Sequence, residues 1–231
     1  MNVSPKICKF VVPLFSLCLG FGAGAKAADF VVGGIPFKVG VTSIKQVRFA
    51  TTMRQQYDFS CGSAALATLL SNHYGYTVSE QIIFAQMFRD GDQPKIRQHG
   101  FSLLDMQNFL SNHGFKADGF ELTLEKLVQA KLPAIVLINE NGYNHFVVVK
   151  GVEGGRVLLG DPSSGTRAVS LDRFNELWNN KLLFVVHGFT GTASFNGKTD
   201  WLAAPAAPLG MGLNREALAA VTLALHGPGD F

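Results

Sequence analysis

The spacing of apolar residues changes once along the chain, close to Pro133. Between residues 60 and 131, apolar side chains recur at the three- and four-residue intervals of amphipathic helices. From Ala134 to Val186, Val, Ile and Leu form short runs separated by Gly, Asn and Asp, which is typical of strands joined by turns. Helices that precede hairpin-linked strands favour an α+β fold with an antiparallel sheet.

Four helices are predicted in the first part of this pattern, each preceded by a Ser or Thr that can cap its first turn. They follow Ser60, Ser79, Ser102 and Thr123, and they end near Gly75, Phe88, Gly114 and Leu132. Cys61 then falls in the opening turn of the first helix. The polar residues 89–99, between the second and third helices, are predicted to form a loop.

Five strands are predicted in the second part, with a short amphipathic helix at 171–178 before the last of them. The strands cover residues 134–138, 144–149, 156–160, 167–170 and 182–186. The elements from residue 50 to residue 187 are therefore expected to form one domain, with the helices packed on an antiparallel sheet.

Both ends of the chain differ from this domain in composition. Residues 28–49 are expected to be an N-terminal arm, with one or two short strands that turn at Gly33-Gly34. Residues 188–231 are rich in Gly, Ala and Pro and are predicted to be a C-terminal extension outside the domain. Within this extension, 203–208 resembles an extended linker and 214–226 has the spacing of one helix.

The first 27 residues have the pattern of a secretory signal peptide. Lys6 and Lys9 precede an apolar stretch from Phe10 to Leu19, and Ala25-Lys26-Ala27 offers small residues at a cleavage site. An uncleaved anchor is the alternative, although the apolar stretch is short for a membrane span. The sequence therefore predicts export, with no membrane span left after the signal is removed.

Removal of residues 1–27 changes both the charge and the cysteine count. The whole chain has 20 basic and 17 acidic residues, and the segment carries Lys6, Lys9 and Lys26 but no acidic residue. The remaining balance of charge does not favour binding to nucleic acid or to an anionic membrane. Cys61 is the cysteine that remains. A lone thiol in an oxidising compartment is either reactive or a buried, inert core residue.

Cys61 has the partners that a cysteine nucleophile needs. A helix N-terminus favours a thiolate, and thiolates attack carbonyl carbon. His145 begins one predicted strand and Asp161 follows the next, so antiparallel pairing brings them side by side as base and orienting residue. The amide of Gln55 or of its neighbour Gln56 can stabilise an oxyanion. Each of these residues also has a plainer structural explanation, as a core thiol, a strand histidine or a turn-forming aspartate.

Three motifs in this order, at 55–66, 144–149 and 160–162, resemble the bacteriocin-processing, double-glycine-type cysteine peptidases, a papain-like family. The resemblance extends over roughly residues 50 to 187. It implies that Cys61 is the nucleophile, His145 the general base and Asp161 the orienting residue. It also favours Gln55 over Gln56 as the oxyanion donor. Such a mechanism needs no metal or organic cofactor, and the other histidines show no paired ligand spacing.

The chain departs from the transporter-borne members of that family, because it has a signal pattern, no later apolar span and no P-loop. It is most similar to free-standing periplasmic members that accompany the secretion of functional amyloid. This similarity implies that its partners are secreted proteins, such as amyloid fibre subunits or their export machinery. Two other functions stay open: a non-catalytic module that binds an exported peptide, and transpeptidation or amide hydrolysis on the cell wall.

Overall fold

The computed structural model describes residues 27–32, 35–40, 42–178 and 181–206, with side chains from residue 42 onward. The predicted helix at 214–226 and nearly all of the predicted signal peptide lie outside these residues. The chain divides into two compact units, and the boundary along the chain falls between Thr42 and Ser43.

The first unit contains an antiparallel pair of strands in the described part of the chain. Strand β1 (Ala27–Val32) pairs with β2 (Ile35–Gly40), and Val32 lies opposite Ile35. The sequence predicts one or two short strands in the N-terminal arm, and the structure has two, the first of which begins at Ala27.

The second unit contains a helical part followed by a sheet. Its described helices are α1 (Ile44–Arg48), α2 (Cys61–His73), α3 (Glu80–Asp90), α4 (Gln93–His99), α5 (Leu103–Asn112), α6 (Leu124–Ala130), α7 (Leu171–Leu177) and α8 (Lys198–Trp201). Its described strands are β3 (Lys116–Glu121), β4 (Ala134–Glu140), β5 (Tyr143–Glu153), β6 (Arg156–Asp161), β7 (Gly165–Ser170) and β8 (Leu182–His187).

The six strands form one antiparallel sheet in the order β3-β8-β4-β5-β6-β7. Strand β5 lies between β4 and β6, with His145 opposite Ile138 and Val148 opposite Gly160. The predicted fold class, α+β with the Cys61 helix packed on a C-terminal antiparallel sheet, is confirmed.

Alternate residues of β5 contribute to two apolar clusters. Phe146 and Val148 belong to the cluster that also contains the buried residues of α2, α3 and α5. Val147 and Val149 belong to the other cluster, with residues of α6 and α7 such as Phe174. Because both faces of this strand are covered, its central residues form a continuous apolar run in the sequence.

Helix α2 is buried along almost its whole length, since every residue from Cys61 to Leu70 is buried. Gly62 allows its opening turn to pack closely. A Cβ atom at this position would lie 2.9 Å from Cε of Met106 and 3.0 Å from Cβ of Phe101. Because Gly62 has no side chain, the start of α2 can approach the neighbouring helical layer this closely.

Four described elements are not among those predicted from the sequence: α1, α4, β3 and α8. Residues 93–99 form helix α4 rather than a loop, because the Asp92 side chain accepts a hydrogen bond from the Lys95 N–H and a proline occupies the first turn. Only Ile96 of this helix is buried, so no apolar period marks it. Strand β3 was not predicted either, since Ala117 is its one buried residue and no alternation appears.

The segment from residue 188 to residue 206 packs against the rest of the second unit. The N–H of Ser194 donates to the carbonyl of His73 (2.8 Å), and the N–H of Asn196 donates to the carbonyl of Lys150 (2.9 Å). The Arg156 guanidinium lies 5.0 Å from the ring centre of Trp201. A domain boundary at residue 187 stays a prediction, but the residues that follow it share contacts with the sheet.

A buried ion pair holds the same segment. The pairing of β5 with β6 slips by one residue at Lys150, as in a β-bulge, and its side chain is fully buried. Its ammonium group pairs with the carboxylate of Asp200 and donates to the carbonyl of Thr51 (2.8 Å). Burial lowers the pKa of Lys150, and the charge of Asp200 opposes this change. The ammonium group therefore depends on Asp200 for its charge balance.

We predict that Asp200→Asn lowers the free energy of unfolding by about 3 kcal/mol, because it leaves the buried Lys150 charge without a counter-ion. Urea unfolding of the full chain measures the change. Glu176→Gln, which breaks the exposed pair with Arg173, is the control and should cost less than about 0.5 kcal/mol. Equal effects of the two substitutions would contradict the role assigned to the buried pair.

Candidate active site

The loop before α2 is tied together by Ser60, which precedes the helix. Ser60 occupies the predicted N-cap position, but its hydroxyl makes no capping bond to the helix. It accepts hydrogen bonds from the N–H groups of Gln56 (3.3 Å) and Tyr57 (3.1 Å). The predicted capping bond is therefore wrong, and the side chain instead fixes the loop that leads into Cys61.

Cys61 lies at the start of α2 with 7% of its surface exposed. Burial raises the pKa of its thiol above the ordinary value of 9.0, and the negative charge of Asp161 acts in the same direction. Backbone N–H groups of Phe146, Gly62 and Cys61 itself partly oppose this change. The backbone donors at the helix start favour the thiolate, as expected, but burial outweighs them.

His145 lies near the start of β5 and is 6% exposed. Its Nε2 atom is 3.4 Å from Oδ2 of Asp161, without hydrogen-bond geometry. The ring of Tyr143 meets the imidazole edge to face, with 5.9 Å between the ring centres. The Tyr143 hydroxyl donates to the carbonyl of Asp58 (2.8 Å), so it links this strand to the loop before Cys61.

Asp161 ends β6 and is 1% exposed. Its Oδ1 atom accepts hydrogen bonds from the N–H (2.9 Å) and hydroxyl (2.7 Å) of Ser163, and its Oδ2 atom accepts one from Nε of Arg167 (3.1 Å). Burial acts to raise the pKa of Asp161, but His145 and Ser163 outweigh burial and hold the pKa well below its usual range. The buried carboxylate is therefore ionised at neutral pH.

Gln55 is half-buried, whereas Gln56 is exposed. The backbone N–H of Gln55 donates to the carbonyl of Pro162 (3.0 Å), which follows Asp161 in the chain. Its side-chain Nε2 donates to the carbonyl of Tyr57 (3.1 Å), and its Oε1 is buried with no hydrogen-bond partner in the described part of the chain. The side chain thus bonds within its own loop, and its role as oxyanion donor stays a prediction.

The four predicted residues differ in how directly they contact one another. His145 and Asp161 face each other directly, and Gln55 is bonded to the loop that follows Asp161. The Cys61 sulfur lies at the N–H of Phe146, the residue after His145. In the described part of the chain, no hydrogen bond joins this sulfur to the imidazole. Such bonds often tighten only when substrate is bound.

Several residues of the site were not predicted from the sequence. Arg167 and Ser163 hold the Asp161 carboxylate, and Tyr143 packs on His145. Arg167 is one of several polar positions in its strand, so the pattern of β7 does not single it out. The described residues contain no group of His, Cys, Asp or Glu suited to a metal ion, and none of the described helices could span a membrane.

Comparison with known proteins identifies similar sequences. Residues 50–190 match the family described as the Peptidase C39 family. A "Probable functional amyloid protease FapD" of Pseudomonas aeruginosa is 41% identical over 156 residues, which is 68% of each chain. A protein of the same name from Pseudomonas fluorescens is 39% identical over 166 residues, 72% of this chain and 73% of that one.

Solved structures with a similar fold include peptidase domains of transporters. The peptidase domain of Streptococcus ComA, a bi-functional ABC transporter, has 21% identity and a TM-score of 0.49, and the match covers 59% of this chain and 96% of that domain. A double glycine motif protease from an AMS/PCAT transporter, in complex with its leader peptide, has 25% identity and a TM-score of 0.48. That match covers 58% of this chain and 89% of the protease.

We predict that Asp161→Asn destabilises the fold by about 2 kcal/mol at neutral pH, because it weakens buried, charge-assisted hydrogen bonds. A carboxyl whose pKa is lower in the folded chain than its ordinary 3.8 stabilises the fold above that pH, and this contribution is lost as the pH falls. The difference between wild type and variant should therefore shrink below about pH 4.

Urea unfolding at several pH values measures this difference. Asp172→Asn, at an exposed position of α7, serves as the control and should have a small effect throughout. A difference for Asp161→Asn that stays constant from neutral to acidic pH would show that the carboxylate charge is not what stabilises the fold.

Proposed function

The chain belongs to the peptidase C39 family and is a cysteine peptidase, and we propose that Cys61, His145 and Asp161 cleave a peptide bond of a secreted protein through an acyl-enzyme. The observation that carries this proposal is the buried pair of His145 and Asp161, 3.4 Å apart, beside the opening turn of α2. A nucleophile, a base and a residue that orients the base are the groups this reaction needs.

In this mechanism His145 removes the proton of Cys61. Because burial raises the pKa of the thiol, the sulfur needs a base to become a thiolate, and this role is assigned to His145. The thiolate attacks the scissile carbonyl, and the imidazolium then gives its proton to the leaving amine. Asp161, ionised and held by Ser163, fixes the orientation of the ring and stabilises its positive charge. Water hydrolyses the acyl-enzyme and restores the thiol.

The backbone N–H of Cys61 and the amide of Gln55 are proposed as the oxyanion donors. The amide group of Gln55 has two N–H donors, and one of them is bonded to the carbonyl of Tyr57 (3.1 Å). Its contact with the carbonyl of Asp58 is longer, at 3.5 Å. An oxyanion can replace this weak bond without disturbing the stronger one.

The substrates are proposed to be secreted proteins of a functional amyloid system, such as fibre subunits, and the site of action the periplasm. The names of the two Pseudomonas relatives and the signal pattern of residues 1–27 support this assignment. The proposed organisation follows the sequence: the arm at 28–49, the peptidase domain at 50–187 and the extension at 188–231. Double-glycine specificity is not part of the proposal.

We predict that Cys61→Ala abolishes cleavage of amyloid fibre subunits and leaves the fold intact, because the sulfur supplies the attacking electron pair. Incubation of the full chain with purified subunits, followed by mass spectrometry of the products, measures cleavage. Cell-wall fragments are tested in parallel, to detect transpeptidation or amide hydrolysis. A Cys61→Ala variant that cleaves as fast as wild type would overturn the mechanism. A Cys61→Ala variant that restores the function of cells lacking the wild-type protein would favour a peptide-binding module.

The two neighbouring glutamines provide a matched pair for the oxyanion assignment. Gln55→Ala should lower kcat by about 10²- to 10³-fold, the usual loss for one oxyanion donor. Gln56→Ala, at the exposed neighbouring position, should stay within about twofold of wild type. Steady-state kinetics on one peptide substrate distinguishes the variants. Similar rates for both would contradict the role of Gln55.

A further inference from the structure

Arg167 joins two carboxylates at the active-site end of the sheet. Its Nε donates to Oδ2 of Asp161 (3.1 Å), while its two terminal nitrogens bond the carboxylate of Glu140 at 2.7 Å and 3.4 Å. Arg167 belongs to β7 and Glu140 to β4, and β5 and β6 lie between these strands in the sheet. The guanidinium therefore connects β4 with β7 across β5 and β6, the strands that carry His145 and Asp161.

The carboxylate oxygen that Arg167 binds is the one that faces the imidazole. Nε2 of His145 is buried, has no hydrogen-bond partner among the residues that the structure describes, and lies 3.4 Å from this oxygen, Oδ2 of Asp161. The other oxygen, Oδ1, is occupied by the N–H and hydroxyl of Ser163. A guanidinium stays protonated at every pH at which the protein is folded. The imidazole thus shares its carboxylate oxygen with a permanent cation.

We propose that Arg167, held by Glu140, is a positioning residue of the active site, which fixes the Asp161 carboxylate and limits how strongly that carboxylate binds the imidazolium of His145. This inference rests on the proposed function, in which Asp161 orients His145. A cation beside the same oxygen disfavours the charged ring, so the imidazolium releases its proton to the leaving amine more readily. Glu140 keeps the guanidinium in place through two hydrogen bonds.

The charged and titratable groups that printed contacts connect to His145 lie on four strands. Asp161 on β6 is 3.4 Å from Nε2 of His145, and Tyr143 on β5 packs on its ring. Arg167 on β7 binds the same oxygen of Asp161 and is itself bound by Glu140 on β4. Arg167 is the cation in this set, and its guanidinium is partly buried, with 21% of the side chain exposed. Removing this positive charge should therefore change the protonation of the site rather than only its packing.

Arg167→Met tests the proposal, because methionine keeps an unbranched side chain and removes the charge. The rate at which iodoacetamide alkylates Cys61 is measured against pH on the full chain. We expect the pH profile of alkylation to move to higher pH, because the positive charge that favours loss of a proton from the site is removed. Arg167→Lys retains the positive charge, so its pH profile of alkylation should stay near that of wild type. It loses the bidentate hydrogen bond to Glu140.

Kinetics on a cleaved peptide give the second measurement. For Arg167→Met we expect kcat to fall about tenfold with KM changed less than twofold, as for loss of orientation in the transition state. Glu140→Gln should give a smaller effect in the same direction. The double variant should resemble Arg167→Met alone, because Glu140 acts through the guanidinium.

Arg173→Met is the matched control, since Arg173 forms an exposed pair with Glu176 on α7. A pH profile of alkylation that does not move in Arg167→Met, or that moves equally in Arg173→Met, would overturn the proposal. Thermal unfolding verifies that each variant is folded, and Arg167→Lys provides the test if the methionine variant is not. Alkylation requires no substrate, so it tests Arg167 even if the chain cleaves no fibre subunit and the proposed function fails.

Discussion

The close packing of the first turn of α2 against its neighbours is the constraint on which the active site depends. Gly62 has no side chain where Met106 and Phe101 approach, so the helix can start deep in the protein. This places the Cys61 sulfur at the backbone of β5, beside Phe146. The same strand carries His145, and its partner β6 ends at Asp161, so sheet pairing brings the other two groups to the same place.

The pKa values of the two acidic groups of the site shift in opposite directions, although burial acts to raise both. The thiol has few compensating interactions, and burial therefore raises its pKa. At the Asp161 carboxyl, His145 and the hydrogen bonds from Ser163 outweigh burial, and the pKa is lowered. The site thus combines a thiol whose pKa is raised with a carboxylate whose pKa is lowered, and the proposed mechanism uses His145 to remove the proton of the thiol. A thiol protected in this way is also less exposed to oxidation.

The sequence predicts the parts of this structure that rest on apolar periodicity. The strands from Ala134 onward and helix α2 were predicted because several buried side chains repeat along each of them. Helix α4 and strand β3 bury one residue each, so their positions depend on the rest of the fold. The pairing of His145 with Asp161 follows from the register of neighbouring strands, but the bond from Arg167 depends on side-chain directions that no local pattern encodes.

The attachment of the C-terminal segment has a consequence for the order of events during synthesis. Lys150 is made well before Asp200, yet its ammonium group is enclosed in the finished sheet. Until the residues around Asp200 arrive, closing the sheet leaves a cation in a non-polar interior without its counter-ion. Completion of this part of the fold therefore requires Asp200 to be present beside Lys150.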